Sequence, residues 1–384
     1  MGRWLTFITV TLLAGCQTNP PLNNGKMTED GRGFSLEQKQ TMFVSYNNRG
    51  AGGVFYTSLP SDSPREIKRS LKNHDIAKRE MERTSLVSYM VWQDGALAVD
   101  LTSPKDRFGE ILERDPFIYS MSLGKSLTGY LMGHAICKGY IESIDQKLSD
   151  WPLVRNTLIS EASVRDVINA SMGHQAFMKN NEEFRTGYII KGSLRESIVL
   201  GNLPGSKPSQ KRHEYGQLPA SVALNYIAFK TGHKFREFSD DVLRNHVKLA
   251  NSLRWAHGTS PDMNGNVHPN FNATREDMLR IGLAILDDWK QDNCVGRYLK
   301  DVYANRIKKS SKQQKNTGWG RARAYAGFFH TDYRGVDDRV MGMDGFGGIS
   351  MLINFDENRI VYAHAVARDY NEKALIFEMI ARGP

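Results

Sequence analysis

Ser122 and Lys125 form the only S-x-x-K pattern in the sequence. An apolar helical pattern follows them and ends at Lys138, which places the pair in the first turn of a predicted helix. Because residues three apart share a helix face, the Lys125 amine can reach the Ser122 hydroxyl. Burial can lower the pKa of a lysine until it accepts a serine proton, and the N–H groups of a helix start favour developing negative charge. The pair predicts a serine nucleophile with a lysine base; the alternative is an N-cap serine beside a solvated lysine.

Two chemistries with similar patterns are each excluded by a single residue. A phosphate-binding loop that ends at Lys125 would need a glycine at position 119, where the chain has Tyr119. A nucleophile elbow around Ser122 would need a glycine at position 120, where the chain has Ser120. The sequence therefore supports neither a phosphate-binding loop nor a nucleophile elbow at these residues.

Metal and nucleic-acid binding receive no support from the sequence. The ten histidines show no metal-ligand spacing, and neither an H-E-x-x-H motif nor a cysteine quartet is present. We therefore expect no metal and no other cofactor, and we interpret His174, His213 and His330 as surface or structural residues. The net charge of +9 is compatible with an anionic membrane surface or cell-wall polymer as a neighbour, although solvated basic faces explain it as well. No nucleic-acid-binding motif accompanies that charge, so no nucleic-acid partner is expected.

The first sixteen residues predict the compartment. Arg3 precedes a short apolar run that ends at Leu13-Ala14-Gly15-Cys16, which resembles a bacterial lipoprotein cleavage site. We predict a signal peptide over residues 1–15, lipidation of Cys16, and a flexible polar tether over residues 16–40. The protein would then be anchored by lipid in the cell envelope, on the outer membrane or periplasmic face of a Gram-negative bacterium. The alternative is an ordinary secretory leader with an incidental cysteine.

Two further cysteines, Cys137 and Cys294, leave their redox state open. A buried free thiol is the default for Cys137, late in the predicted helix. An export compartment permits a disulfide, but the sequence does not give the geometry for one.

The pattern of elements predicts an α+β fold. Strand patterns occupy both ends of residues 41–384, with helical patterns between them. We expect one antiparallel sheet built from both chain ends and flanked by helices, with a helical lobe over about residues 140–310 and the active site in the cleft between. The pattern also predicts a strand over Thr41 to Tyr46, a surface helix over Pro64 to Thr84 and a strand over Arg323 to His330.

Five further segments resemble motifs of one superfamily in the same order. They are the hairpin pattern of Met90 to Asp100, the segment Val164 to Gly173, Pro204-Gly205, Tyr215-Gly216-Gln217 and the helical pattern of Thr274 to Leu286. With the S-x-x-K pattern they resemble the serine β-lactamase and penicillin-binding protein superfamily, in particular its class C-like branch of esterases, D-amino-acid peptidases and amide hydrolases. The resemblance covers about three quarters of the chain, from Ser85 onward. It implies a β-lactamase-like fold in which Tyr215 shares the serine proton with Lys125.

The third motif of that superfamily is where this chain departs from it. The family has K-T-G or H-x-G on the strand beside the site, and here Met343-Asp344-Gly345 takes that place, followed by Phe346. The resemblance implies substrate contacts for Gln217, Met343, Asp344 and Gly345, and an oxyanion hole formed by the N–H groups of Ser122 and Phe346. Met343 replaces a basic residue that helps to hold a substrate carboxylate, and Gln217 replaces an asparagine.

The resemblance implies an acyl-transfer enzyme that acts on a small-molecule ester or amide, or on a peptide. Two alternatives stay open at this point. One is a D-alanyl peptidase or β-lactamase of cell-wall metabolism, and the other is a non-catalytic envelope protein that uses the fold for binding or scaffolding. The sequence does not give the oligomeric state.

Overall fold

The computed structural model describes residues 33–51, 54–155, 157–173, 208, 210–216, 218–232, 234–257, 267–310 and 321–384, and the fold is given for these residues. Three of the predictions fall outside them: the signal peptide, the lipidated Cys16 and the substrate contact of Gln217. Pro204-Gly205 and His174 lie outside them as well.

The strands and helices are numbered in chain order. The strands are β1 (Val54–Ser58), β2 (Leu86–Gln93), β3 (Ala96–Thr102), β4 (Phe117–Tyr119), β5 (Leu253–His257), β6 (Val267–Thr274), β7 (Ile307–Lys308), β8 (Ala322–Ala326), β9 (Phe329–Tyr333), β10 (Val340–Gly345), β11 (Ile349–Asn354) and β12 (Arg359–Ala365). The helices are α1 (Leu36–Ala51), α2 (Asp75–Arg83), α3 (Glu110–Arg114), α4 (Leu123–Cys137), α5 (Val164–Ile168), α6 (Leu218–Lys230), α7 (Phe235–Asp240), α8 (Arg275–Gln291), α9 (Cys294–Ala304) and α10 (Met379–Arg382). Wider π-helical stretches at Lys105–Gly109, Asp241–Val247 and Lys373–Glu378 adjoin α3, α7 and α10.

The larger sheet is built from both ends of the chain, as the sequence predicts. Its strand order is β3-β2-β12-β11-β10-β9-β8-β7, and its neighbours pair antiparallel. One face packs on α4, α8 and α9, and the other face packs on α2 and the C-terminal helix. The α+β class is confirmed.

A second, four-stranded sheet has the order β1-β5-β6-β4. The sequence analysis expects a single sheet, so this part of the prediction is incomplete. Two of its strands, β5 and β6, lie inside the range predicted as a helical lobe. The sheet packs beside α1, α4 and α6, and its strand β4 leads directly into Ser122. Ser122 therefore lies where the two sheets approach each other.

Local sequence signals account for several element boundaries. Asp94 and Gly95 both have positive φ (50° and 90°) and form the tight turn between β2 and β3, a conformation that Asp-Gly pairs favour. Ser163 and Asp166 form a reciprocal capping box at the start of α5. The chain closes with the π-helical stretch Lys373–Glu378 and α10.

Three predicted segments have a different conformation. Residues 41–46 are part of helix α1, whose core contacts through Met42, Phe43 and Tyr46 override the strand pattern. The same helix begins at Leu36, so the predicted tether cannot extend to residue 40. The predicted helix over residues 64–84 is helical only in α2, because the segment before α2 hydrogen-bonds to Leu97 and Ala98 of β3 in an extended conformation. The predicted strand over residues 323–330 is a hairpin of β8 and β9 that turns at Gly327 and Phe328, both with positive φ.

The cysteine pair is bonded. Cys137 at the end of α4 forms a disulfide with Cys294 at the start of α9, with 5.8 Å between their Cα atoms. The default of a buried free thiol at Cys137 is therefore wrong, because the approach of the two helix ends is a tertiary feature that no local pattern carries. No helix within the described residues is both long and apolar enough to cross a membrane.

Candidate active site

Ser122 and Lys125 are in contact at the start of α4. The Lys125 Nζ donates a hydrogen bond of 2.9 Å to the Ser122 Oγ. Ser122 stands at the N-cap position, but its hydroxyl makes no capping hydrogen bond to the helix backbone. An N-cap serine ordinarily uses its hydroxyl for that purpose, so the geometry favours the nucleophile over the capping alternative.

The residue before the nucleophile is held in an unusual conformation. Met121 has a φ of 48°, in the left-handed region that side chains other than glycine rarely adopt. Such a conformation costs about 1–3 kcal/mol and persists where the surrounding structure enforces it, often at functional sites. Here Ser120 is tied to β6 on both sides, because its N–H donates to the Phe271 carbonyl and its hydroxyl accepts from the Phe271 N–H. The turn that presents Ser122 is therefore fixed by the smaller sheet.

Gly124, inside the S-x-x-K pattern, has a packing reason. A Cβ atom at this position would lie 1.9 Å from the Pro269 carbonyl oxygen of β6. The backbone of α4 thus approaches β6 more closely than any side chain permits. This contact explains why a glycine stands at position 124, although glycine lowers the helix propensity of the first turn.

Gly124→Ala should separate α4 from β6 and move the Ser122–Lys125 pair. We expect a loss of about 1–3 kcal/mol in the free energy of unfolding, the range for an overpacked core, together with a fall in any acyl-transfer activity. Chemical denaturation of the purified variant measures the first effect. Gly216→Ala is a matched control for stability, because its Cβ would meet its nearest neighbour, Pro219 Cδ, at 3.8 Å. Equal stability of Gly124→Ala and the parent chain would contradict the close approach.

Burial shifts Lys125 toward the neutral form that a base requires. Its side chain is 2% exposed, and this burial lowers its pKa to about 7. A buried amine loses the hydration that stabilises its charge. His268 of β6 lies close enough for the lysine charge to help lower the histidine pKa, which burial brings to about 4. The imidazole of His268 is therefore neutral beside the base.

Tyr215 lies next to the same lysine. The Lys125 Nζ is 5.0 Å from the centroid of the Tyr215 ring. The ring also packs near those of His330, at 6.2 Å, and Tyr325, at 6.1 Å. Serine, lysine and tyrosine, far apart in the sequence, thus meet at one place, as the resemblance implies.

The strand of the third motif borders the nucleophile. A Cβ atom at Gly345 would lie 3.0 Å from the Met121 Cβ and 3.4 Å from the Ser120 carbonyl oxygen. Phe346, which follows directly, packs its ring against Tyr46 at 6.0 Å. Gly345 therefore permits a close approach of β10 to the turn before Ser122. The oxyanion-hole function of the Ser122 and Phe346 N–H groups stays a prediction.

The other two residues of that motif are buried. Met343 is fully buried in the core that includes Leu127 and Tyr130 of α4. Asp344 is 6% exposed and accepts a hydrogen bond of 2.6 Å from the Ser350 Oγ. Burial raises the pKa of Asp344, while the positive charges of Arg368 and Lys309 oppose that shift. These positions give no direct support to substrate contacts by either side chain, which stay predictions, as does that of Gly345.

A buried lysine–histidine pair was missed by the sequence analysis. The Lys309 Nζ lies 2.6 Å from the His330 Nδ1, and burial lowers the pKa of Lys309 to about 8. His213, whose ring is 4.3 Å from that of Tyr325, lies on the same side of the site. His213 and His330 are each 3% exposed, so the surface alternative for both is wrong. Lys309 follows β7, His330 lies in β9 and His213 lies in the segment before α6. They are brought together only by the fold, and their spacing along the chain does not indicate it.

Comparison with known proteins supports the fold. No model of a known protein family matches the sequence. No curated protein matches it either. Among solved structures, a Bacillus anthracis protein assigned as a 6-aminohexanoate-dimer hydrolase superposes with a TM-score of 0.66 at 11% identity, covering 88% of this chain and 92% of that chain. A D-stereospecific amidohydrolase from Streptomyces sp. gives 0.57 at 12% identity, covering 82% of this chain and 100% of the other. A class C β-lactamase gives 0.54 at 12% identity, covering 80% and 93%.

These likenesses show that the chain has the fold of the serine β-lactamases and penicillin-binding proteins, which confirms the fold that the motifs implied.

Proposed function

We propose that this chain is a serine hydrolase that cleaves an ester or amide through an acyl-enzyme on Ser122. The observation that carries the proposal is the 2.9 Å hydrogen bond between the Ser122 Oγ and a buried lysine whose pKa is lowered to about 7. A nucleophile within hydrogen-bond reach of a base that is substantially neutral near pH 7 is the requirement for acyl transfer. The names of the structural neighbours, an amidohydrolase and a β-lactamase among them, are consistent with that chemistry.

The reaction would proceed in two steps. The Ser122 Oγ forms a bond to the substrate carbonyl carbon while its proton passes to the Lys125 Nζ. The tetrahedral intermediate then collapses, the bond to the leaving group breaks, and a proton relayed through Lys125 and Tyr215 passes to the leaving group. Water then attacks the acyl-enzyme while one of its protons passes through Tyr215 to the neutral Lys125 amine. That proton returns to the Ser122 Oγ as its bond to the acyl carbon breaks, which releases the acid and the free serine. The N–H groups of Ser122 and Phe346 would hold the negative oxygen in both steps.

We further propose that the substrate is neutral near its scissile bond. Met343, at the motif position that is basic in the resembling family, carries no charge and is buried. Two cations act on the aspartate of this motif, Arg368 more strongly than Lys309, and the side chains of both are largely buried. Arg368 pairs with Glu372, and Lys309 contacts His330. The aspartate and Glu372 therefore offset these two positive charges inside the protein. A substrate carboxylate would therefore gain little at this strand.

Two esters that differ only in a carboxylate test this preference. We expect kcat/KM for p-nitrophenyl butyrate to exceed that for mono-p-nitrophenyl succinate by about 5- to 150-fold, because the carboxylate loses its hydration without gaining a partner at this strand, at a cost of about 1–3 kcal/mol. Release of p-nitrophenol measures both rates. Equal rates, or efficient cleavage of penicillins and cephalosporins, would show that the site does hold a carboxylate. Met343→Lys is a poor test, because it places an amine in the core around α4.

Labelling by a fluorophosphonate probe tests the proposed function itself. A phosphonylated serine forms only where a serine is activated as a nucleophile, with fluoride as the leaving group. We expect one label per chain and hydrolysis of at least one member of a panel of small esters and amides. A folded protein that takes up no label and cleaves none of the panel would instead act as a binding or scaffolding module.

We also propose that Cys16 carries lipid and anchors the protein in the cell envelope. The support is the short apolar leader that ends in Leu13-Ala14-Gly15-Cys16. In cells supplied with labelled palmitate, the parent protein should take up label and sediment with membranes, whereas Cys16→Ser should do neither. Thr18→Ser, two residues further along, is the matched control and should keep the label. Lipid on the Cys16→Ser variant would refute the anchor.

A further inference from the structure

Three side chains from separate helical segments meet at the end of α4 that is distant from Ser122. They are His134 of α4, His246 of the π-helical stretch after α7 and Asp288 of α8. One ligand atom from each lies within 4.8 Å of the others. The cluster lies twelve residues after Ser122, about 18 Å along the helix at a rise of about 1.5 Å per residue, so it is separate from the candidate active site.

His134 points an unused nitrogen into this cluster. Its side chain is 6% exposed, and its Nε2 has no hydrogen-bond partner among the described residues. That atom lies 4.0 Å from the Asp288 Oδ2, which is too far for a hydrogen bond. A buried polar atom without a partner is costly and calls for an explanation, of which an ion is one.

The other two side chains complete a set of ligands around that nitrogen. The His246 Nε2 lies 2.9 Å from the Asp288 Oδ2. Zinc bonds of about 2.0–2.2 Å in a tetrahedron hold ligand atoms about 3.3 Å apart. The two distances to the Asp288 Oδ2, 2.9 Å and 4.0 Å, lie on either side of that value. Side-chain shifts of less than about 1 Å would let one ion contact all three residues. The ion would then replace the hydrogen bond between His246 and Asp288.

The surroundings support a built site. The Asn293 amide donates to the Asp288 Oδ1 at 2.7 Å, and the Tyr130 hydroxyl donates to its Oδ2 at 2.5 Å. Such outer hydrogen bonds fix the orientation of a ligand carboxylate. The side chain of His246 is 39% exposed while that of Asp288 is 2% exposed, which gives an ion an entry path from the solvent side. The ion pair of Lys138 and Asp241 lies alongside and adds no net charge.

We propose that His134, His246 and Asp288 bind one Zn²⁺ ion, with a fourth position open to water on the His246 side. Two imidazole nitrogens and one carboxylate oxygen suit zinc, whereas magnesium and calcium take oxygen ligands almost exclusively. The ion joins α4, α8 and the stretch after α7, and its role is to cross-link these helices rather than to act on the substrate. Spacing along the chain could not reveal it, because each ligand comes from a different segment.

Calorimetric titration of the full, oxidised chain with ZnCl2, after treatment with EDTA, tests this site. We expect one Zn²⁺ per chain, a rise in melting temperature when the ion is present, and unchanged ester hydrolysis. His246→Ala should weaken binding by more than about 100-fold, which exceeds the effect of losing an outer partner, and should abolish the thermal shift. Asn245→Ala, at the neighbouring exposed position, should bind zinc like the parent chain.

A second pair of variants tests the contribution of the Asp288 carboxylate to zinc binding. Asp288→Asn should lose zinc binding, whereas Asp287→Asn, which alters the adjacent carboxylate that pairs with Arg65, should retain it. A folded parent chain that takes up no zinc at equimolar ion would overturn the proposal. So would zinc binding that His246→Ala leaves unchanged, because the ion would then be held elsewhere.

Discussion

Ser122→Ala should lower the turnover of the best ester substrate by about 10⁴-fold or more, as the loss of a catalytic nucleophile does in other serine hydrolases. The reason is that the alanine offers no oxygen to form the acyl-enzyme, while the fold and the rest of the site stay in place. Steady-state kinetics give the rate, and mass spectrometry after fluorophosphonate treatment gives the position of the adduct. The adduct should lie on the peptide that contains Ser122.

Ser126→Ala is the matched control for this result. Ser126 lies one turn further along α4, where its hydroxyl donates to the Phe328 carbonyl oxygen at 2.7 Å. Losing that buried hydrogen bond costs about 1–3 kcal/mol of stability but leaves the nucleophile intact. The variant should therefore still take up the label at Ser122. An adduct on another residue, or near-normal turnover in Ser122→Ala, would rule out the proposed acyl-enzyme.

Lys125→Met should separate activity from stability. The unmodified chain should gain activity as the pH rises through about 7, because the pKa of Lys125 is lowered to that value by burial and only the neutral amine accepts the serine proton. Removing the base should cost about 10²–10⁴-fold in rate, the usual contribution of general base catalysis. Lys138→Met at the other end of the helix should leave the pH profile unchanged.

The same substitution should make the fold more stable near neutral pH. Unfolded Lys125 has a pKa of about 10.5 against about 7 in the folded chain, so the unfolded state binds more protons between these values and the free energy of unfolding rises with pH across that window. Below pH 7 the amine is charged in both states, so the folded state bears the full free-energy cost of burying that charge. Lys125→Met removes the penalty and should gain about 2–4 kcal/mol at pH 7, with the gain vanishing toward pH 10.5. Urea denaturation at several pH values measures it, and equal stability at pH 7 would contradict the buried, neutral lysine.

The larger sheet and the contact between Ser122 and Lys125 could be predicted because their signals are local. The Asp94-Gly95 pair itself favours the positive φ angles that the tight turn requires. Ser122 and Lys125 are three residues apart, so one helical turn brings their side chains together. Residues 41–46 match a strand pattern but are helical in α1. A pattern of this length does not decide between strand and helix, and packing through Phe43 and Tyr46 decides it here. Local propensity is a weak guide where tertiary contacts decide.

The rest of the candidate site depends on contacts between distant segments. Lys309, which follows β7, meets His330 of β9 across the intervening strand β8, and a lone lysine or histidine in a sequence gives no sign of that. The environment of Asp344 has the same origin, because its burial follows from the strand that carries it and from Ser350 on the next strand. The motif predicts a strand at Met343-Asp344-Gly345, but it does not predict which way the side chains of that strand face.

The disulfide between Cys137 and Cys294 makes the stability of the nucleophile's helix depend on the redox state of the surroundings. The two cysteines are 157 residues apart, so the bond closes a long loop in the unfolded chain. Chain-entropy arguments give about 5 kcal/mol for a loop of this size, comparable with the whole net stability of many domains. Thiol reductants would remove that constraint without touching Ser122. In that state α4 would be held to α9 by packing and by the hydrogen bond that the Tyr298 hydroxyl donates to the Gly129 carbonyl.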